Sequence, residues 1–324
     1  MALAIQHPKT RQHANALVHP GKDIVSLVGN TPLVGFRRIT QHLSDNVQVY
    51  AKAEWYNPGG SIKDRAALSI IETAEADGVL QPGKVILDST SGNTGIAYAM
   101  IGSAKGYPVR LFVPANASPE RLKILRAYGV ELTLTDPLEG SDGALEAVRE
   151  LAAAEPDRYF YANQYNNPAN WQAHYRTTAP EIWYQTGGKV THFIAGLGTT
   201  GTFVGTSRRL KDYNPAIETI SFQPDSPFNG LEGLKHIGTA IRPGIYDDTL
   251  ATRNLAVNTE AAYAMARRLA REEGYLVGVS AAAAMVAALQ VATELDTIAQ
   301  PGMVVTVFPD NAYKYLSDNF WVAE

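Results

Sequence analysis

Short apolar runs separated by amphipathic stretches organise this chain. Val85-Ile86-Leu87, Val109-Arg110-Leu111-Phe112-Val113 and Val130-Glu131-Leu132-Thr133-Leu134 have the length and β-branched or aromatic content of strands. So do His192-Phe193-Ile194-Ala195, Thr219-Ile220-Ser221-Phe222 and Met303-Val304-Val305-Thr306-Val307-Phe308. Between them, Ala67, Ile70, Ile71 and Ala74 recur at helical spacing, and Ile96-Ala97-Tyr98-Ala99-Met100-Ile101 reads as a helix. Residues 261–273 and 281–295 are rich in strong helix formers. Strands alternating with helices predict βα units and parallel sheets, an α/β fold. Residues 136–143 form a polar, Gly-containing loop, and Glu155-Pro156-Asp157 suits a crossing between two lobes. Neither an internal repeat nor a low-complexity linker is present.

Two of the polar turns are more than connectors. Thr90-Ser91-Gly92-Asn93-Thr94-Gly95 lies between a predicted strand and a predicted helix. Free N–H groups and hydroxyls converge there at a helix N-terminus, which favours an anion such as a carboxylate. An N-cap turn also uses Ser, Thr and Asn, but a single cap does not need six small polar residues. Gly196-Leu197-Gly198-Thr199-Thr200-Gly201-Thr202 repeats the arrangement between His192-Phe193-Ile194-Ala195 and a helix opening at Phe203-Val204-Gly205. Its glycines permit close backbone approach and its threonines add donors, a composition suited to phosphate. No Gly-Lys-Ser/Thr follows, so it is not a Walker motif, and no acidic ribose ligand follows either. Both loops, and Pro309-Asp310-Asn311, follow the carboxyl ends of strands, where open α/β sheets bind ligands.

Lys63 lies in Asn57-Pro58-Gly59-Gly60-Ser61-Ile62-Lys63-Asp64-Arg65, just after a turn and at the start of the Ala67–Ala74 stripe. A helix N-terminus disfavours an ammonium. A lysine held there can form a Schiff base if a carbonyl cofactor lies nearby. On this run alone an exposed surface lysine is the simpler reading. Together with a carboxylate-type loop and a phosphate-type loop, it points to a phosphorylated aldehyde cofactor and an amino-acid substrate.

At this point the chain resembles the pyridoxal-phosphate enzymes of the cysteine synthase and cystathionine β-synthase group. The resemblance runs from about Ile24 to about Ser317. It rests on Val28-Gly29-Asn30-Thr31-Pro32-Leu33-Val34, the lysine run, the Thr90 loop, Asn163-Gln164-Tyr165-Asn166-Asn167-Pro168-Ala169-Asn170 and the Gly196 loop. Thr199-Thr200-Gly201 looks more like the cysteine synthase B and O-phosphoserine sulfhydrylase branches. The resemblance implies a two-lobed fold type II enzyme, each lobe a mostly parallel sheet flanked by helices. Residues 1–49 would pack on the larger lobe, 50–156 would form the smaller, mobile substrate-binding lobe, and 157–324 the larger cofactor-phosphate-binding lobe.

It also implies a chemistry. Lys63 would bind pyridoxal 5'-phosphate, Gly198, Thr199, Thr200, Gly201 and Thr202 would hold the phosphate, and Asn93 would contact the ring hydroxyl. Thr90, Ser91, Gly92, Asn93, Thr94 and Gln164 would hold the substrate carboxylate. Freed Lys63 would take the α-proton, the β-substituent would leave, and a sulfur nucleophile would attack the resulting aminoacrylate. The product would be L-cysteine from O-phosphoserine or O-acetylserine. The ring-nitrogen partner is expected at Asn311, by position relative to Tyr315-Leu316-Ser317, with Asp310 as the alternative. Lys235 stands where O-phosphoserine sulfhydrylases carry an arginine. It reads either as a phosphate reader, alongside His236 and Arg242, or as a solvated rim lysine. Gly278-Val279-Ser280 continues as Ala281-Ala282-Ala283-Ala284 where the group often has Ser-Ser-Gly.

Other nucleophiles would give cystathionine or a diaminopropionate-type product, and hydrolysis would give pyruvate. A ligand- or partner-binding paralogue without turnover is the non-enzymatic alternative. Intact Lys63 and both anion loops argue against that, and the Gln164 stretch argues against a dehydratase. The resemblance further implies a homodimer, with sulfide or a sulfur-carrier protein as the alternative sulfur donors.

Bulk properties change this picture little. The 324 residues exceed a typical single domain. Net charge is −4 without a basic run, so no nucleic-acid partner is expected. The chain has no cysteine, which excludes disulfides, thiolate metal sites and a cysteine nucleophile. Residues 1–20 are mixed and polar, without a signal-type apolar core. No apolar stretch is read as a bilayer span. A cytoplasmic enzyme without metal, and without a regulatory domain after Glu324, is the expectation. His174, His192 and His236 lack metal-ligand spacing and read as surface or packed residues. Trp171, Tyr175, Trp183 and Tyr184 read as core or subunit interface, and Arg121 and Arg126 as a solvated helix face.

Overall fold

The computed structural model describes residues 21–322 apart from 91, 116 and 139. Ser91 and the polar N-terminal residues 1–20 therefore lie outside the described residues. The strands are β1 (Leu33–Gly35), β2 (Val47–Ala53), β3 (Val85–Ser89), β4 (Val109–Pro114), β5 (Glu131–Thr135), β6 (Tyr159–Tyr161), β7 (His192–Gly196), β8 (Glu218–Pro224), β9 (Arg253–Val257) and β10 (Gly302–Phe308). The α-helices are α1 (Lys63–Ala76), α2 (Asn93–Lys105), α3 (Pro119–Ala127), α4 (Gly140–Ala154), α5 (Pro168–Arg176), α6 (Thr178–Gln185), α7 (Gly201–Tyr213), α8 (Thr259–Arg268) and α9 (Val279–Thr297).

They build two sheets. One has the order β1-β2-β10-β7-β8-β9, the other β5-β4-β3-β6. Every pairing is parallel except that of β1 with β2. The α/β class with mostly parallel sheets is thus present. The sheets interleave along the chain. β2 lies in the six-stranded sheet, and β6 lies in the four-stranded one. Glu155-Pro156-Asp157 joins α4 to β6, both packed within the four-stranded unit. Part of the loop expected at 136–143 is the first turn of α4.

Each sheet has its own core. Ile70, Ile71, Ile96, Met100 and Leu111 pack in the four-stranded unit. Ile220, Phe222, Met265, Met285 and Phe308 pack in the six-stranded unit. α9 meets the length and hydropathy of a membrane span, contrary to the expectation from sequence, but 67% of that window is buried in the molecule. Its Ala281, Ala282, Ala283, Ala284, Ala287 and Ala288 are all at most 1% exposed and let α9 lie close on β10 and α8. A larger side chain there would overpack the core at about 1–3 kcal/mol. The helix predicted over 261–273 is α8 followed by one π-helical turn, Leu269–Glu273.

The site follows from strand order. β10 is flanked by β2 and β7, parallel to both, with Val304 beside Val49 and His192. The carboxyl ends of β3, β7, β8 and β10 converge on one cleft, and α1 enters it from the Pro-Gly-Gly turn.

Candidate active site

Lys63 is the first residue of α1. Its position is set by contacts on both sides of it. Asp64 is buried and its Oδ2 accepts the Gly59 N–H at 2.6 Å, closing the preceding turn. Arg65 is clamped by Glu54 (Nε to Oε2, 2.7 Å) and Glu181 (Nη1 to Oε1, 2.6 Å). Burial lowers the pKa of Lys63. Lys314 adds to that lowering and Asp310 opposes it. An amine held below its ordinary range is the form that can attack an aldehyde or accept a proton.

The Gly196 loop forms the floor in front of that amine. A Cβ on Gly198 would sit 2.3 Å from the Gly233 carbonyl oxygen, so only glycine fits there. Thr200 precedes α7 with φ +71°, a strained region for a threonine and often a mark of function. Its Oγ1 is buried without a hydrogen-bond partner. Thr199 Oγ1 accepts from Asn170 Nδ2 at 3.1 Å, and Thr202 Oγ1 lies 3.3 Å from His174 Nε2. His174 is buried under the loop. Burial first, then Arg65 and Lys63, hold it neutral, which makes it a packed histidine.

The Thr90 loop faces the same space from the four-stranded unit. Thr94 Oγ1 donates to Gln164 Oε1 at 2.8 Å, and Gln164 Nε2 donates to the Ser89 carbonyl at 2.8 Å. Thr90 Oγ1 accepts the Gly92 N–H at 3.1 Å. A Cβ on Gly92 would strike Arg121 Cδ at 2.2 Å.

Two connected cavities result. The inner one is lined by Lys63, Asn93, Gly198, Thr199, Thr200, Thr202, Ser280 and Tyr315. The outer one adds Thr90, Thr94, Gln164, Arg121 and Lys235. Every described residue expected at the site lines one of them except Gly92, Gly201 and Asn311, together with the alternatives Asp310, His236 and Arg242. Gly92 and Gly201 are loop backbone. Asn311 is turned away, its side chain accepting from the Tyr313 N–H at 3.2 Å to cap the turn Ala312–Lys314. Asp310 is fully buried, with Oδ2 accepting from Tyr315 Oη (2.7 Å) and Asn93 Nδ2 (2.8 Å). It lines neither cavity. The hydroxyl that lines the inner cavity from this end is Ser280, at the start of α9. The Gly278-Val279-Ser280 run was its signal in the sequence.

Arg121 is not on a solvated face. It is 2% exposed, pairs with Glu232 through both ends of its guanidinium, and lies 4.8 Å over the Tyr315 ring. Lys235 pairs with Asp142 at 3.1 Å and lies 5.0 Å from the Tyr165 ring. Arg121 and Lys235 therefore both face carboxylates. His236 bonds Thr239, and Arg242 pairs with Asp248 at 2.9 Å. Among the described residues no group of His, Asp or Glu is arranged to hold a metal ion.

A buried lysine amine, an unpartnered Thr200 hydroxyl and a glycine floor fit an aldehyde-bearing ring with a phosphate. A family described as pyridoxal-phosphate dependent enzymes matches residues 24–310. The chain belongs to that family. Its members use pyridoxal phosphate. Among relatives of this pyridoxal-phosphate enzyme, a cysteine synthase of Aquifex aeolicus is 54% identical over 295 residues, covering 91% of this chain and 90% of the relative. Cysteine synthase B of Pseudomonas aeruginosa is 40% identical, covering 92% and 97%. The structure of a cysteine synthase from Entamoeba histolytica superposes with a TM-score of 0.87 at 33% identity, covering 100% and 95%. An O-acetylserine dependent cystathionine β-synthase from Helicobacter pylori gives 0.86 at 34%, covering 92% and 98%.

Proposed function

We propose that this protein is a cysteine synthase that replaces the β-substituent of an O-activated L-serine with sulfur. The observation that carries the reading is the Lys63 amine, lowered in pKa, between a phosphate-type loop and a carboxylate-type loop in one cleft. Bound pyridoxal phosphate supplies an aldehyde for Lys63 and an electron sink for the α-carbon.

The chain's own residues do the rest. Gly198, Thr199, Thr200, Gly201 and Thr202 bind the cofactor phosphate at the N-terminus of α7. Asn93 donates to the ring oxygen. The Ser280 hydroxyl would hold the ring nitrogen in place of Asn311 or Asp310. Its presence in the inner cavity supports this, and a neutral hydroxyl leaves the nitrogen without a full positive charge. Thr90, Ser91, Gly92, Asn93, Thr94 and Gln164 orient the substrate carboxylate. Lys63 takes the α-proton from one face.

The donor is read as a neutral ester, O-acetylserine, rather than O-phosphoserine. A dianionic leaving group needs an uncompensated cation, and Arg121 and Lys235 are matched by Glu232 and Asp142. The sulfur comes as sulfide or on a carrier protein, and the enzyme works as a cytoplasmic homodimer. Cysteine formation is tested with sulfide and O-acetylserine, O-phosphoserine or serine in turn. Cysteine from O-acetylserine fits the reading. Cysteine from O-phosphoserine alone overturns the donor, and none from any donor overturns the function.

A further inference from the structure

A second lysine touches the site, and nothing in the proposed chemistry uses it. Lys314 is 6% exposed and ends the turn after β10. Its Nζ donates to the Gly60 carbonyl at 3.2 Å and to Asn93 Oδ1 at 2.7 Å. On its other edge, the Asn93 amide nitrogen donates to Asp310 Oδ2 at 2.8 Å and reaches Tyr315 Oη at 3.4 Å.

An ammonium carries donors only, and an ionised carboxylate acceptors only. Asn93 stands between the donating Lys314 Nζ and the accepting Asp310 Oδ2, so a single orientation of its amide suits both. Reversed, its NH₂ would face Lys314 and its oxygen would face Asp310, leaving two buried clashes of like polarity. Burial lowers the pKa of Lys314, and the nearby carboxylates of Asp310 and Asp64 oppose that, while Arg121 adds to it. The ammonium is therefore held in a buried place by groups from three segments of the chain. Asn93 itself lines both cavities, and its nitrogen edge is on the side of Tyr315, which also lines both.

We infer that Lys314 is a positioning residue that locks the Asn93 side chain with its N–H edge toward the bound cofactor. The inference rests on the pyridoxal-phosphate reading of the cleft. The simpler alternative is a staple, in which Lys314 only ties the C-terminal turn to Gly60.

The test is the affinity of cofactor-stripped protein for pyridoxal phosphate, measured by titration alongside the melting temperature. Lys314→Met removes the donor, and a loss of at least tenfold is expected. Lys314→Gln is neutral but still donates, and affinity within threefold of wild type is expected. In an Asn93→Ala background, Lys314→Met should add less than a twofold further loss, because the residue it positions is gone. Three results overturn the inference. They are unchanged affinity in folded Lys314→Met, a loss that persists in full in the Asn93→Ala background, and a tenfold loss in folded Lys314→Gln. Should Lys314→Met fail to fold, Lys314→Ala takes its place, with the same expected loss and the same overturning results. Wild-type protein that does not bind pyridoxal phosphate would overturn the reading of the cleft itself, a failure separate from these ratios.

Discussion

Arg121 and Glu232 meet across the cleft, 111 residues apart in sequence, with the guanidinium nearly buried and the carboxylate side chain 37% exposed. Arg121 belongs to α3 of the four-stranded unit, and Glu232 to the loop after β8 of the six-stranded unit. The pair thus ties the two sheets at the mouth of the site. An exposed pair is worth about 0–1 kcal/mol, and breaking a buried one costs about 3–5. This half-buried pair falls between. A double-mutant cycle of Arg121→Ala and Glu232→Ala, read by denaturant unfolding, should give a coupling of about 1–2 kcal/mol that shrinks in 1 M salt. A coupling of zero would mean the sheets are held without it.

Ser280 and Asn311 make opposite predictions. Ser280→Ala should weaken cofactor binding by roughly three- to tenfold, the loss of one hydrogen bond to a buried ring. Asn311→Ala, which removes a turn cap, should change cofactor affinity less than twofold while lowering stability by about 0.5–2 kcal/mol. Titration of pyridoxal phosphate into each stripped variant checks both. The reverse ranking would return the ring nitrogen to Asn311.

Lys235 is committed to Asp142, so Lys235→Ala should change kcat/KM for O-acetylserine and O-phosphoserine by the same factor, within threefold. Asp142→Asn, which removes the counter-charge of Lys235, should improve O-phosphoserine use. A selective loss with O-phosphoserine in Lys235→Ala would identify a phosphate reader instead.

Stability should carry a pH signature from two buried carboxylates. Asp88 accepts from the Ser89 N–H, Tyr98 Oη and the Gln164 N–H, and Asp64 from the Gly59 N–H. Burial outweighs these bonds and raises both to about 7. Between the ordinary aspartate value of 3.8 and about 7 the folded chain then holds more protons than the unfolded one. Stability therefore falls as pH rises through that window, by up to about 1.4 kcal/mol per unit per group. Asp88→Asn should remove its share. The stability of wild type relative to Asp88→Asn should decline from pH 4 to pH 7. A difference that does not vary with pH would show that Asp88 stays ionised.

What was legible in the sequence was local. The Thr90 and Gly196 loops are each one strand–turn–helix unit, so their composition alone singled them out, and both line the cleft. Lys63 was legible because a turn and a helical stripe adjoin it. The order of the strands was not, because β2 pairs with β10 some 250 residues later, and short β6 carries too few residues to show a period. The same limit hid Lys314, Ser280 and Arg121. Each meets a partner more than a hundred residues away or a cavity wall, as Lys314 meets Asn93 at a separation of 221. Asn311, expected at the cleft, lines neither cavity for a related reason. Adjacent residues in an extended turn point to opposite sides, and counting positions back from Ser317 cannot say which side faces the cleft.

The central claim is that Lys63 carries the cofactor of a cysteine-forming enzyme. The most direct measurement loads the protein with pyridoxal phosphate, reduces it with borohydride and maps the adduct by peptide mass spectrometry, with Lys63→Ala in parallel. The account predicts one adduct, on the peptide holding Lys63, absent in Lys63→Ala, and at least about a thousandfold loss of cysteine formation in that variant. An adduct on another lysine in the wild-type protein, or cysteine formation that survives Lys63→Ala, would contradict it.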